Sequence, residues 1–264
     1  MSKANKQKII AIVVILLVLI IIAVVFLATR NTNKGTPQAE IAESTEAVTE
    51  SDTAAEETDF DYDYDMKLDM NKVKEAHDKN PDVKGWVYID GTNVDYPVVQ
   101  GKDNDEYMYK DWETGNSNHE GSIFDDYRSE ILECENTLIY GHNMKDGSMF
   151  ANIKKYKDED WGKDHLYVEL ATLDKRYLCE VFSVNVINGL QGADFEYWNY
   201  IDMDPTRFSE FMNKIQTSAT VWYGDDGVNA IPEYGDKVLT LQTCENGTDD
   251  GMRCVAFAKV LCEK

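Results

Sequence analysis

Basic residues are scarce in this chain: 26 Lys and Arg stand against 49 Asp and Glu, for a formal net charge of −23. Proteins that grip a phosphate backbone neutralise it with clustered Lys and Arg, so this balance argues against a nucleic-acid partner. Metal-binding patterns are missing as well. The five cysteines form no CxxC pair and the four histidines (His77, His119, His142, His165) fall at no metal-ligand interval, which argues against a zinc site. The acidic run Asp59 to Asp65 lacks the Gly and the closing Glu of an EF-hand loop, so it reads as solvated chain and not as a calcium site. There is no internal repeat. At 264 residues and 43% hydrophobic letters, the chain is too long for a disulfide mini-protein and too apolar to be wholly disordered.

The charge that is present is unevenly spread. Residues 1–30 sum to +4, residues 31–65 to −10 and the remainder to −17. Within the first segment Ile9 to Ala28 is an unbroken apolar run with no charge, Pro or Gly. About 20 helical residues at 1.5 Å each match a ~30 Å hydrocarbon layer, so a single transmembrane helix is expected. Lys3, Lys6 and Lys8 precede it, which keeps the N-terminus cytosolic and sends the bulk of the chain across. A cleaved signal peptide fits less well, because its apolar region is shorter and Phe26 to Arg30 makes a poor cleavage context.

Residues 31–65 turn to Thr, Ser, Ala, Glu and Asp, a composition that cannot bury enough surface to offset its ordering entropy. We expect an acidic disordered linker there and a folded domain over 66–264. In that domain Asp69 can cap a short helix running to about Lys79, stopped by Asn80-Pro81. Short β-type runs follow at 85–89, 93–99, 122–124, 137–140, 165–170, 177–187, 238–242 and 252–261, punctuated by Gly, Asn and Asp. A second helix is signalled by Asp204 as cap, Pro205 in the first turn, and Phe208, Phe211, Met212 and Ile215 at helical spacing. Many short strands with a few helices outside predict a mainly β fold, a closed and mostly antiparallel barrel with peripheral helices.

An odd number of cysteines placed outside the cell leaves at least one thiol free or paired between chains. Cys134, Cys179, Cys254 and Cys262 lie in or beside apolar runs and read as small buried hydrophobes. Cys244 differs, because it closes the run Val238 to Cys244 and opens onto a polar loop with two glycines, Glu245 to Gly251. Arg253 begins the next strand, so a returning hairpin brings a permanent positive charge towards that thiol. His142 leaves another strand, Thr137 to Tyr140, in the same way and is the candidate acid and base.

Thr240-Leu241-Gln242-Thr243-Cys244 with Arg253 downstream, and Tyr140-Gly141-His142-Asn143-Met144 upstream, resemble the sortases of Gram-positive cell walls, class B in particular. Asn80-Pro81 to Gly85-Trp86, Asp95 to Gln100, Gly121 to Phe124 and Gly147 to Phe150 are similar to class B chains too, and the likeness runs from about residue 68 to the C-terminus. The resemblance implies a sortase-type closed β-barrel of about eight strands, preceded here by the single transmembrane helix. It implies a cysteine transpeptidase, with no cofactor, that cuts a C-terminal sorting signal of a surface protein after Thr and joins the new carboxyl to an amine of a peptidoglycan precursor or a pilin. By position Cys244 is then the nucleophile, His142 the acid and base, and Arg253 the group that holds the carbonyl or oxyanion. Gln242 stands where several class B enzymes carry Ser. Tyr140, Gln242, Thr243 and Glu245 are the candidate substrate-binding residues beside the catalytic three.

Acyl transfer through a thioester splits one difficult amide exchange into two easier steps, and an enzyme working through a thiolate and imidazolium pair has a pH profile with two limbs. Two other classes remain to be weighed. A secreted papain-like cysteine protease places its Cys before its His, the reverse of the order here. A non-catalytic membrane-anchored binding or adhesion domain predicts an inert Cys244.

Overall fold

A computed structural model describes residues 64–224, 231–246 and 250–264. The expected anchor (1–30) and all but the last two residues of the expected linker (31–65) lie outside the described residues. Among the described residues no helix is long and apolar enough to cross a membrane.

Helix α1 (Met70–Lys79) begins where the Asp69 carboxylate accepts the Asn71 N–H at 2.9 Å, and it stops at Asn80 because the residue before a proline is pushed out of helical geometry. Nine strands follow: β1 (Val83–Tyr88), β2 (Asp95–Val99), β3 (Ile123–Asp125), β4 (Asn136–Tyr140), β5 (Tyr167–Ala171), β6 (Arg176–Asn188), β7 (Val221–Trp222), β8 (Val238–Cys244) and β9 (Met252–Glu263). Eight of them close a barrel in the order β5-β1-β2-β3-β4-β8-β9-β6, with β6 pairing back onto β5. The ninth, β7, is a two-residue strand attached to the later half of β6. Among the pairings between these nine strands, β2–β3 and β4–β8 are parallel and the rest antiparallel.

Alternation along the strands sorts residues into two apolar layers. Leu239, Leu241, Ile139, Ala256 and Ala258 pack in the layer that also holds Val87, Val98, Val168 and Val181 from the other strands. The intervening Leu138, Val238, Val255 and Phe257 join Phe208, Phe211 and Ile215 of helix α3 (Pro205–Thr217). Strands covered on both faces read as nearly continuous apolar runs, and β9 does so from Cys254 to Ala258; β4 is buried along Asn136 to Ile139 although it opens with two polar residues. Helix α3 starts as its sequence implies, with the Asp204 carboxylate accepting the Arg207 N–H at 2.8 Å and Pro205 in the first turn. The strand β7, the short helix α2 (Glu159–Lys163) and the 3₁₀ turns at Ala151–Lys157 and Tyr197–Asn199 carry too few residues for a periodic signal and were not foreseen. Cys134, Cys179 and Cys254 are buried as expected; Cys262, in the last residues of β9, is only half-buried.

Candidate active site

Register assembles the site. In the parallel pair β4–β8, Tyr140 stands against Gln242, so both strands leave the barrel at the same end, and the Gly141 N–H donates to the Gln242 carbonyl at 3.0 Å. His142 and Cys244 each lie two residues past that pairing. In the antiparallel pair β8–β9, Cys244 stands directly opposite Arg253. Residues at even positions of β8 share a face with Val238, and Arg253 shares it with Val255 and Phe257, so thiol and guanidinium emerge on the α3 side of the sheet. His142, Cys244 and Arg253 all line one cavity of about 600 Å³.

Each group is held by its surroundings. The turn after β4 is tight: a Cβ on Gly141 would lie 2.4 Å from Ile123 Cδ1 and 2.7 Å from Phe150 Cγ, so glycine is required there. The Phe150 N–H donates to the His142 carbonyl at 2.9 Å, and Asn143 Nδ2 donates to the Cys244 carbonyl at 3.0 Å, stitching the histidine turn to the cysteine strand. His142 Nε2 sits 2.8 Å from the Met108 carbonyl. A carbonyl only accepts, so Nε2 carries its hydrogen and Nδ1 is the atom left to gain or lose a proton. The Tyr109 ring lies 5.2 Å from the imidazole, and His119 stacks beyond it at 6.4 Å. Arg253 passes over Gly189, where a Cβ would lie 2.5 Å from its Cγ, and its Nη1 donates to the Met252 carbonyl at 3.1 Å.

Of the four candidate substrate-binding residues, Tyr140 and Gln242 line the cavity and Thr243 and Glu245 do not. The Tyr140 hydroxyl donates to Asp126 at 2.9 Å, and Gln242 Oε1 accepts from the Tyr197 hydroxyl at 2.7 Å. Burial holds both phenols well above their ordinary range, with Asp126 reinforcing this for Tyr140, so both remain neutral donors. Thr243 is fully buried because strand alternation turns it to the same side as Leu239 and Leu241. Glu245 has left the strand, and its carboxylate pairs with Lys157. The structure adds Asn104, Met108, Tyr109, His119, Arg128 and Trp198 to the cavity wall. They come from loops and carry no local sequence signature; the resemblance at Gly121 to Phe124 ended just short of Arg128.

A thiol, an imidazole and a permanent cation on one cleft, with peptide-sized space beside them, suit acyl transfer through a thioester. Known proteins agree. The Sortase domain family model matches residues 87–261. Sortase B of Listeria monocytogenes is 34% identical over 181 residues, covering 68% of this chain and 69% of that protein. Sortase B of Staphylococcus aureus is 30% identical over 187 residues, covering 69% and 71%. Among solved structures, Clostridium perfringens sortase B matches with a TM-score of 0.63 at 30% identity, covering 72% of this chain and 99% of that one. A Staphylococcus aureus sortase B–substrate complex matches with a TM-score of 0.64 at 26% identity, covering 73% and 85%. The chain belongs to the sortase family and is a cysteine transpeptidase of the sortase B type.

Proposed function

We propose that this transpeptidase is tethered to the membrane by residues 1–30, held off it by the acidic spacer 31–65, and that its domain over 66–264 works on the extracellular side. The substrate is a surface protein with a C-terminal sorting signal, cut after Thr, and the acceptor is an amine of a peptidoglycan precursor or a pilin. An anchor supports transfer over simple hydrolysis because it holds the enzyme where anchored substrates and lipid-linked acceptors meet. That a relative has been captured with a substrate, and a sortase B with triglycine, supports a peptide donor and an amine acceptor.

In this reading the Cys244 thiolate attacks the scissile carbonyl carbon, and the oxygen takes the negative charge beside Arg253, whose charge is permanent and whose donors are forked. The intermediate collapses as the C–N bond breaks, and His142, at Nδ1, protonates the departing amine. The incoming amine gives a proton back to His142, attacks the thioester and releases the thiolate. One observation carries the reading: the β4–β8–β9 register puts Cys244 opposite Arg253 and His142 at the neighbouring strand exit.

The test is intact-mass spectrometry of residues 66–264 incubated with sorting-signal peptides, alongside Cys244→Ala. The expected result is an acyl adduct ending at Thr, absent from Cys244→Ala and released by an added amine. No adduct with any peptide, together with a Cys244 thiol no more reactive than free cysteine, sinks the reading and leaves a binding domain on a sortase scaffold.

A further inference from the structure

Beside the reacting groups, one wall of the cleft rests on a single buried carboxylate. Asp126 follows β3 and is 0% exposed, yet its two oxygens accept five hydrogen bonds. Arg128 supplies Nε at 2.8 Å and Nη2 at 2.8 Å in a forked pair, with its backbone N–H at 3.0 Å; Asn104 Nδ2 and the Tyr140 hydroxyl each donate at 2.9 Å. Burial raises the pKa of such a group, but here the donors more than offset it and the carboxyl lies below the ordinary range, so it is an anion.

Its partners have a common feature. Asn104, Arg128 and Tyr140 all line the cavity, and they arrive from three places: the β2–β3 loop, the β3–β4 connection and the end of β4. Arg128 Nη2 also donates to the Trp198 carbonyl at 2.8 Å, which extends the tie to the 3₁₀ turn, where Trp198 lines the cavity too. Asn104 Oδ1 accepts the Tyr127 N–H at 3.0 Å, which fixes the orientation of its amide. Loops do not inherit direction from a ladder of backbone bonds, so these side chains need another source of it. An apolar residue would fill the volume of Asp126 without desolvating a charge; what the carboxylate adds is geometry.

We infer that Asp126 is a positioning residue for peptide recognition, holding Asn104, Arg128 and Tyr140 in the arrangement that grips the sorting-signal peptide while touching none of the reacting atoms. This rests on the transpeptidase reading above. Because Asp126 already neutralises Arg128, the wall offers donors without net charge, which suits the carbonyl and side-chain amide oxygens of an uncharged peptide segment and not a carboxylate.

The experiment compares wild type, Asp126→Asn, Arg128→Lys and the double variant in residues 66–264. For each, kcat and KM are measured on a peptide that acylates the wild type, and the alkylation rate of Cys244 by iodoacetamide is measured separately. The Asn variant keeps the shape but sets an amide N–H against the existing donors, so KM is expected to rise about ten-fold or more, with kcat and the alkylation rate little changed. Lys cannot reproduce the forked pair, so Arg128→Lys raises KM less, and the double variant is no worse than Asp126→Asn alone because both act through one assembly. An unchanged KM in folded Asp126→Asn overturns the inference. So does a parallel fall in kcat and alkylation rate, which marks damage at the catalytic end instead. If Asp126→Asn does not fold, Arg128→Lys decides: a raised KM supports the inference and an unchanged one overturns it. A wild type that forms no adduct with any peptide is a failure of the transpeptidase reading itself and is read from that control.

Discussion

The wall of the cleft that carries Asn104, Arg128 and Tyr140 is tied together by side chains, whereas the wall that carries Cys244 and Arg253 is tied by backbone. On the first, a buried carboxylate collects donors from three segments. On the second, the β8–β9 ladder sets thiol and guanidinium opposite each other, with a side-chain tie from Asn143 Nδ2 to the Cys244 carbonyl. The difference follows from where each wall sits in the fold. A strand pair supplies direction through its register, so reactive groups on it need little side-chain support. Loops supply none, and groups on them must be oriented by charge-assisted bonds.

The largest effect should come from removing charge on the ladder wall. Arg253→Gln is expected to lower kcat/KM by about 10²–10³-fold, the scale seen when an oxyanion donor is lost. Steady-state kinetics on a sorting-signal peptide check this; an effect under a few-fold would move the oxyanion site elsewhere. Gly189→Ala should do less. Its new Cβ would stand 2.5 Å from Arg253 Cγ, so the arginine must shift, and a loss of about ten-fold in kcat with KM nearly constant is expected. Equal activity in the two proteins would show that Arg253 tolerates another path.

Asp125 and Asp126 sharpen the contrast within the side-chain wall. Burial pushes Asp125 up to about 8, with Asp126 beside it adding to the effect and a Ser129 hydrogen bond only partly opposing it. A carboxyl raised in the folded state holds a proton that the unfolded chain has released, so stability falls as pH rises from the ordinary carboxylate range to about 8 and then levels. Glu180, raised to about 6 mainly by burial, adds to the lower part of the same decline. Asp125→Asn should therefore flatten the decline, above pH 6 most clearly, in urea unfolding across a pH series. Identical slopes for variant and wild type would mean that Asp125 is ionised in the fold. The smallest effect is expected at Thr243, where valine keeps the shape and removes a buried hydroxyl that lacks a partner among the described residues. Thr243→Val should be neutral or stabilising by about 1 kcal/mol or less, and a clear loss of stability in the same unfolding assay would show that the hydroxyl is bonded.

Both well-capped helices were legible because capping and periodicity are local: Asp69 and Asp204 each bond a first-turn N–H, and Phe208, Phe211 and Ile215 face the core. So were strand exits at Tyr140 and Cys244, since apolar runs end where polar loops begin. Thr243 and Glu245, candidates by their proximity to Cys244, lie off the cavity. The place of Thr243 two residues after Leu241, which follows Leu239, turns it into the barrel, and proximity in sequence to Cys244 says nothing of which face it takes. Arg128 and Asp126 were invisible for a different reason: they look like an ordinary surface charge pair until the chain is folded.

What the sequence by itself determined was the family, the barrel's strand content and the identity of His142, Cys244 and Arg253 as candidates, because these rest on short motifs and local periodicity. Only the tertiary structure decided that β4 lies parallel to β8, that Tyr140 meets Gln242 and Cys244 meets Arg253, and that a carboxylate beyond β3 gathers three segments into one wall. Those facts depend on register and on buried electrostatics between residues far apart in the chain, and neither leaves a trace in local sequence.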